Sequence, residues 1–344
     1  MCTGDCKAMK NQRNPAIVCC RTVSMILIVL CHIIGFYTFI PGHGFLSLIF
    51  NVGVFSFLTI SGYLYGAKSI GSFRPWLRKR CVAVLLPASV LIVAVLIEQL
   101  CTQRLDSWFS AAVYLLNLQG LGFLYPGFYK VFSEIEVIGP LWFITIIMLC
   151  YCMVPFLQKV RDRYAGRNSL YILVAAAVCI GFTMVTNVNV IYFLTFAIGY
   201  YLSAAKRLQP MRIPGFALLS VLMLVTQVLR LVLRSAYDGT MLYLNYTSIS
   251  HMTLGIWILC FFFGCGQWFP KLTDKLASHK VVTVANDLSF YVYLTHSCFC
   301  RGLLNVYRLF DNLLAATVVF MLATLAASLL LKKIVAFVQN ALQK

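Results

Sequence analysis

The sequence predicts an all-α fold: a polytopic integral membrane protein of about ten transmembrane helices. Of 344 residues, 61% are hydrophobic and only 11% are charged, whereas a water-soluble domain is nearer half apolar and a quarter charged. Apolar runs approaching the roughly 20 residues that cross a bilayer recur along the whole chain. Lys and Arg gather in short patches between those runs, as they do in cytoplasmic loops. Despite a formal charge of +18, the composition is too apolar for a disordered or nucleic-acid-binding chain, so the basic excess is first a topology signal.

Taken in order, spans are expected at about 17–40, 44–66, 81–101, 139–158 and 169–185. Five more follow at about 190–205, 214–234, 248–268, 287–303 and 312–336. Together they form a single membrane domain over 1–344. Ten spans place both termini on one side. In that arrangement 22 of the 28 Lys and Arg share the side of the termini, and only Arg104, Lys130, Arg230, Arg234, Arg301 and Arg308 lie opposite. The asymmetry predicts cytoplasmic termini. Lys7, Lys10 and Arg13 precede the first apolar run with no small-residue cleavage site after them, so the start reads as an uncleaved cytoplasmic leader. The fourteen cysteines show no metal-ligand spacing and read as small apolar helix residues.

Residues 102–138 are too long for a tight turn. They carry Trp108, Tyr114, Phe123, Tyr125, Phe128 and Tyr129 with Asp106, Glu134 and Glu136. A short helix from Trp108 to Leu118 is expected, either as an interface anchor or as a lid over an external site.

Charged and polar groups within apolar runs mark pathways or sites. His32 stands in mid-span, within Ile28-Val29-Leu30-Cys31-His32-Ile33-Ile34. Arg21 is eleven positions earlier. Eleven helical steps turn about 1100°, three turns plus about 20°, and rise roughly 16 Å, so both side chains share one face. An arginine at the cytoplasmic mouth suits a phosphate-bearing ligand. A neutral histidine at depth suits proton transfer from a hydroxyl. Residues 68–80 form the densest basic patch, with Lys68, Arg74, Arg78, Lys79 and Arg80 around Pro75 and Trp76. They serve either as a positive-inside loop or as a site for an anionic cofactor. Phe55 to Leu64 puts small residues in the second span, where they permit close helix contact. Gly139-Pro140-Leu141-Trp142-Phe143 opens the fourth span. Ser289, Tyr293 and His296 lie along one stripe of the ninth. Glu98, at the outer end of the third span, is a further candidate, and His251 a weaker one.

In this order the motifs resemble the membrane-bound acyltransferase-3 family of carbohydrate O-acyltransferases. The matches are Arg21 with His32, Phe57 to Leu64, the basic segment from Phe73 to Pro87, Leu141-Trp142-Phe143, and Ser289 with Tyr293 and His296. One departure stands out: where the family often has a second arginine three residues beyond Arg80, this chain has Ala83.

The resemblance implies transfer of an acyl group, commonly acetyl, from cytoplasmic acyl-CoA to a hydroxyl of an exported or lipid-linked glycan. No metal takes part in that reading. It makes His32 the catalytic group, with Arg21 as its catalytic partner about three turns away on the same face. Arg21, Arg74, Arg78, Lys79 and Arg80 would hold acetyl-CoA, and Trp142, Tyr293 and His296 would contact the acceptor, with Glu98 added on its position alone. Direct attack on the thioester and an acyl-histidine intermediate both remain open. The implied setting is the bacterial inner membrane, in a form without an appended soluble domain. A transporter, flippase or polymerase of lipid-linked glycan is the competing class.

Overall fold

A computed structural model of the chain describes residues 14–342 apart from 106, 125–134, 164–167, 207 and 209. Lys7, Lys10, Arg13, Asp106, Tyr125, Phe128, Tyr129, Lys130, Glu134, Arg167, Arg207 and Lys344 therefore lie outside the described residues. Among the described residues the structure is helical, without a strand.

The helices are α1 (Pro15–Ile33), α2 (His43–Phe50), α3 (Gly53–Gly66), α4 (Phe73–Cys101), α5 (Trp108–Leu115), α6 (Leu121–Leu124), α7 (Trp142–Arg163) and α8 (Asn168–Thr186). They continue as α9 (Ile191–Ala204), α10 (Ile213–Tyr237), α11 (Met241–Trp268), α12 (Pro270–Ser278), α13 (Lys280–Thr295), α14 (Ser297–Cys300) and α15 (Leu313–Leu342). Among the described residues, seven helical stretches are long and apolar enough to cross a membrane. α8 and α9 are apolar but shorter, and α13 has only 16 residues. The chain is an integral membrane protein. The surface of α10 agrees with this, since Leu218, Val221, Leu222, Val225, Val228 and Val232 are all exposed. Such a continuous apolar face suits lipid, not water.

α1 occupies the middle of the bundle and packs against α2, α3, α11, α12 and α13. Its N-terminus is built for the role: Asn14 accepts from the Ala16 N–H at 3.0 Å, and Pro15 stands in the first turn, where its missing N–H costs nothing. α3 and α9 pack closely along each other. A Cβ on Gly62 would strike the Phe196 carbonyl and one on Gly199 the Thr59 carbonyl. The small residues of the second expected span therefore serve helix contact. Arg161 ties the end of α3 to α7. Its Nη1 donates to the carbonyls of Gly66 at 2.8 Å and Lys68 at 3.0 Å, which are among the carbonyls a helix end leaves without a partner.

Several boundaries differ from the sequence expectation, among them α11 and α13, which each start seven residues early, at Met241 and Lys280. The first span ends at Ile33, continued by a 3₁₀ turn to Phe36, so His32 sits at a helix end and not in mid-helix. The second is broken at Asn51-Val52 into α2 and α3. α4 starts eight residues early, at Phe73, because Pro75 fits a first turn and the basic residues 74–80 extend the helix beyond its apolar part. The ninth span breaks after Thr295, and α14 and a turn at Val306–Arg308 follow it. Arg230, expected at the outer end of the 214–234 span, lies within α10 and is 1% exposed.

The tight α3–α9 contact predicts that Gly62→Val will be destabilising by about 1–3 kcal/mol, the usual cost of overpacking. Thermal unfolding of the detergent-solubilised protein should show a lowered midpoint, with Gly215→Ala, on an open surface, as the silent control.

Candidate functional site

Two helices form the site's main seam. Arg21 Nη2 of α1 donates to Ser289 Oγ of α13 at 3.4 Å. Eleven residues further along α1, the His32 ring lies 5.0 Å from the His296 ring, centroid to centroid and tilted by 36°. Both contacts advance in the same direction, so α1 and α13 run parallel. Ser289 is fully buried and passes its own hydroxyl hydrogen to the Asn286 carbonyl at 2.8 Å, which leaves its lone pairs toward Arg21.

The orientation of His296 follows from its partners. Nδ1 lies 2.7 Å from the Tyr293 carbonyl and 3.2 Å from that of Val292. Carbonyls only accept, so Nδ1 carries the hydrogen and Nε2 of the neutral ring carries a lone pair. That Nε2 is buried and has no hydrogen-bond partner. The histidine stands at the break after α13, where the carbonyls of the last turn have no continuing helix to pair with. Tyr293 holds the same turn from the other side: its hydroxyl donates to the Pro140 carbonyl, and its ring meets Phe143 edge-on at 5.6 Å. The Gly139–Phe143 motif is thus brought against the Ser289–His296 stripe. Arg301, just beyond α14, lies within electrostatic reach of both histidine rings.

Trp142 points elsewhere. Its ring packs on Tyr192 at 5.1 Å, and Tyr192 continues to Phe55 at 5.2 Å. It belongs to the packing between α7, α9 and α3. The basic segment divides as well. Arg74, Arg78 and Lys79 are exposed on the first turns of α4. Arg80 turns inward, and its Nη1 donates to the Tyr65 hydroxyl at 2.8 Å.

At the other end of α4, Glu98 accepts from Gln99 Nε2 at 2.6 Å on one oxygen, while Oε1 is buried without a partner. Beside it lies a cleft of about 380 Å³ lined by Gln99, Gln103, Arg104, Ile135, Glu136, Val137 and Gly302. It combines two amides, a cation and a carboxylate with one short apolar wall. Gly302, at φ +68, supplies the left-handed turn on its α14 side.

Sequence reasoning missed Ser47, whose Oγ donates to the Cys31 carbonyl beside His32 at 2.7 Å. A lone serine in an apolar stretch carries no signal of such a long-range contact. It also missed the pairing of Arg230 with His251, 2.7 Å apart. The antiparallel register of α10 and α11 creates that pair, and it cannot be read from spacing.

The fold and site together define a helical membrane protein in which two histidine rings meet at helix ends, with Arg21 on the same face of α1. A family model described as an acyltransferase domain matches residues 14–333, nearly the whole chain, and the chain belongs to the acyltransferase-3 family. No curated protein and no solved structure matched it. Acyl transfer is therefore its class of reaction.

Tyr293→Phe should cost about 0.5–1.5 kcal/mol, the net worth of one hydrogen bond, and more because the Pro140 carbonyl stays buried. The expected readout is a lower melting midpoint in detergent, with the Phe143 contact preserved.

Proposed function

We propose that this protein transfers an acetyl group from cytoplasmic acetyl-CoA to a hydroxyl of an exported or lipid-linked glycan, in a bacterial inner membrane with both termini in the cytoplasm. The observation that carries the reading is the parallel seam of α1 and α13, with Arg21 at one end and the His32–His296 pair at the other.

The cationic groups fit the donor. Arg21 and the exposed Arg74, Arg78 and Lys79 offer charge to the phosphates of CoA, while Arg80 keeps Tyr65 in place. Acetyl-CoA supplies an activated thioester. His32 accepts the proton of the acceptor hydroxyl as its oxygen bonds to the acyl carbon and the carbon–sulfur bond breaks. His32 then returns that proton to the departing thiolate, so protons balance. His296, with Nδ1 committed to the Tyr293 carbonyl, keeps an Nε2 lone pair without a partner on a ring 5.0 Å from that of His32. It can share the hydrogen of the imidazolium that forms. This makes it a partner of His32, closer to the chemistry than a residue that only contacts the acceptor. The acceptor hydroxyl enters from the Glu98 side, where the cleft's amides, Arg104 and Glu136 match the paired donors and acceptors of a sugar. Its carboxylate disfavours a multiply charged anion there.

The test is mass spectrometry of surface glycans from a deletion strain complemented with each variant at matched protein level. Wild type restores an acetyl increment with chain length unchanged, and His32→Ala loses it, in line with the 10²–10⁴ rate loss typical of a missing general base. Loss of whole glycan chains on deletion would favour transport or polymerisation instead.

Arg21→Ala should weaken acetyl-CoA binding by about 1.5–3 kcal/mol, the value of a charge-assisted bond, measured by calorimetry on protein in nanodiscs. Unchanged affinity would remove Arg21 from the donor site. Reporter fusions after Lys344 and after Asp238 should give opposite sidedness, and equal answers would sink the proposed topology.

A further inference from the structure

Two helices end within the apolar part of the chain, at Ile33 and at Phe50. A helix end leaves carbonyls without a following N–H, and lipid offers no replacement, so protein donors must serve them. At the end of α1 the Ile34 N–H takes the Leu30 carbonyl, and Ser47 Oγ of α2 takes the next one, Cys31, at 2.7 Å. At the end of α2 the Asn51 N–H goes to Ser47 and the Val52 N–H to Ile49. The Leu48 carbonyl between them faces His251 Nε2 at 2.7 Å and Arg230 Nη1 at 3.5 Å.

Arg230 and His251 are 1% and 2% exposed and 2.7 Å apart. Arg230 lies on a helix that otherwise turns mostly toward lipid, and no described carboxylate pairs with it. Such a cation is expensive in a membrane and marks a function. α2 itself has no fully buried residue. Hydrogen bonds at Leu48 and Ser47 therefore hold it where apolar packing is weak.

We propose that α2 is a strut that fixes His32. Either tautomer of His251 leaves the strut one donor at the Leu48 carbonyl, the ring Nε2–H itself or, where Nε2 accepts from Arg230, the guanidinium, and Ser47 at the strut's centre grips the α1 backbone at Cys31, one residue before the histidine. Ser47 is a positioning residue: it acts through His32 and touches no reacting atom. The inference rests on the acyl-transfer role of His32. Removing the Ser47 hydroxyl leaves the Cys31 carbonyl unserved, frays the last turn of α1 and misdirects the imidazole. A displacement of about 1 Å in a reacting group costs up to about 10²-fold in rate.

The test uses the full chain in nanodiscs, with acetyl-CoA and surface glycan stripped of its O-acetyl groups by mild alkali. Ser47→Ala should lower kcat about tenfold or more and leave the KM for acetyl-CoA unchanged. Ser47→Thr, which keeps the hydroxyl, should retain most of the rate. Arg230→Met should behave like Ser47→Ala. A second readout needs no transfer: labelling of His32 by diethyl pyrocarbonate, followed by mass spectrometry, should change several-fold in Ser47→Ala and stay near wild type in Ser47→Thr. If Arg230→Met fails to insert, the two Ser47 variants still decide. Wild-type kcat and labelling in Ser47→Ala would overturn the proposal. So would a fall in kcat without a change in labelling, since Ser47 would then act by another route, and so would equal loss in both Ser47 variants. If the wild-type protein transfers no acetyl group, the acyl-transfer reading fails on its own, and the labelling still reports whether Ser47 fixes His32.

Discussion

The site depends on the parallel contact between α1 and α13. Residues more than 250 positions apart in sequence meet along the two helices, Arg21 with Ser289 and His32 with His296. Because α1 is also surrounded by α2, α3, α11 and α12, the seam lies inside the bundle, away from the lipid-facing α10. Rotating α1 by one residue, about 100°, would turn Arg21 and His32 away from α13 together. The eleven-residue spacing therefore fixes one face of α1 for both contacts, and the Ser289–His296 stripe, seven residues long, supplies the matching face on α13. The stripe is shorter than eleven residues because the long Arg21 side chain spans part of the rise.

The second constraint is the lipid's intolerance of bare backbone. An uninterrupted helix satisfies its own carbonyls, but each break needs a named donor. Arg161 serves the end of α3, Ser47 the end of α1, and His296 the Tyr293 carbonyl in the turn that closes α13, while the Tyr293 hydroxyl serves Pro140 ahead of α7. Several of the polar side chains within the bundle are thus explained by backbone accounting before any chemistry is invoked. His296 is the residue in which the two roles meet. One ring nitrogen is spent on the helix end, and that fixes which nitrogen remains for His32.

The sequence made the helical membrane class legible because burial in lipid demands long apolar runs, and their lengths alone carry that information. It also made the Arg21–His32 face and the Ser289–Tyr293–His296 stripe legible, because both are intrahelical spacings governed by 3.6 residues per turn. What it hid was every feature set by contact between helices. Trp142 stands beside Phe143 in sequence, yet its ring packs with Tyr192 while that of Phe143 meets Tyr293. Arg230 is positioned in sequence like a loop-flanking cation and is buried against His251. The breaks at Ile33 and Asn51 fall inside continuous apolar runs without a proline at the break. Only the tertiary donors waiting there make them tolerable, and a donor on another helix leaves no local trace.

The position of His32 at a helix end, and not at mid-helix, has a chemical consequence in the proposed reading. A side chain in the middle of an α-helix is hemmed by its own turns, and the carbonyls around it are already paired. At a helix end the following residues turn away, here through the 3₁₀ segment to Phe36, and the face of the ring opens toward α13 and α14. The same opening occurs at His296, where the chain turns into α14 and then to the left-handed Gly302 at the cleft wall. Two helix ends thus bring the rings of His32 and His296 together, and in the proposed reading this is where the donor arm from one side and the hydroxyl from the other meet. Ending the two helices here leaves backbone carbonyls unpaired, and Ser47 at Cys31 and His296 at Tyr293 are the groups that serve them.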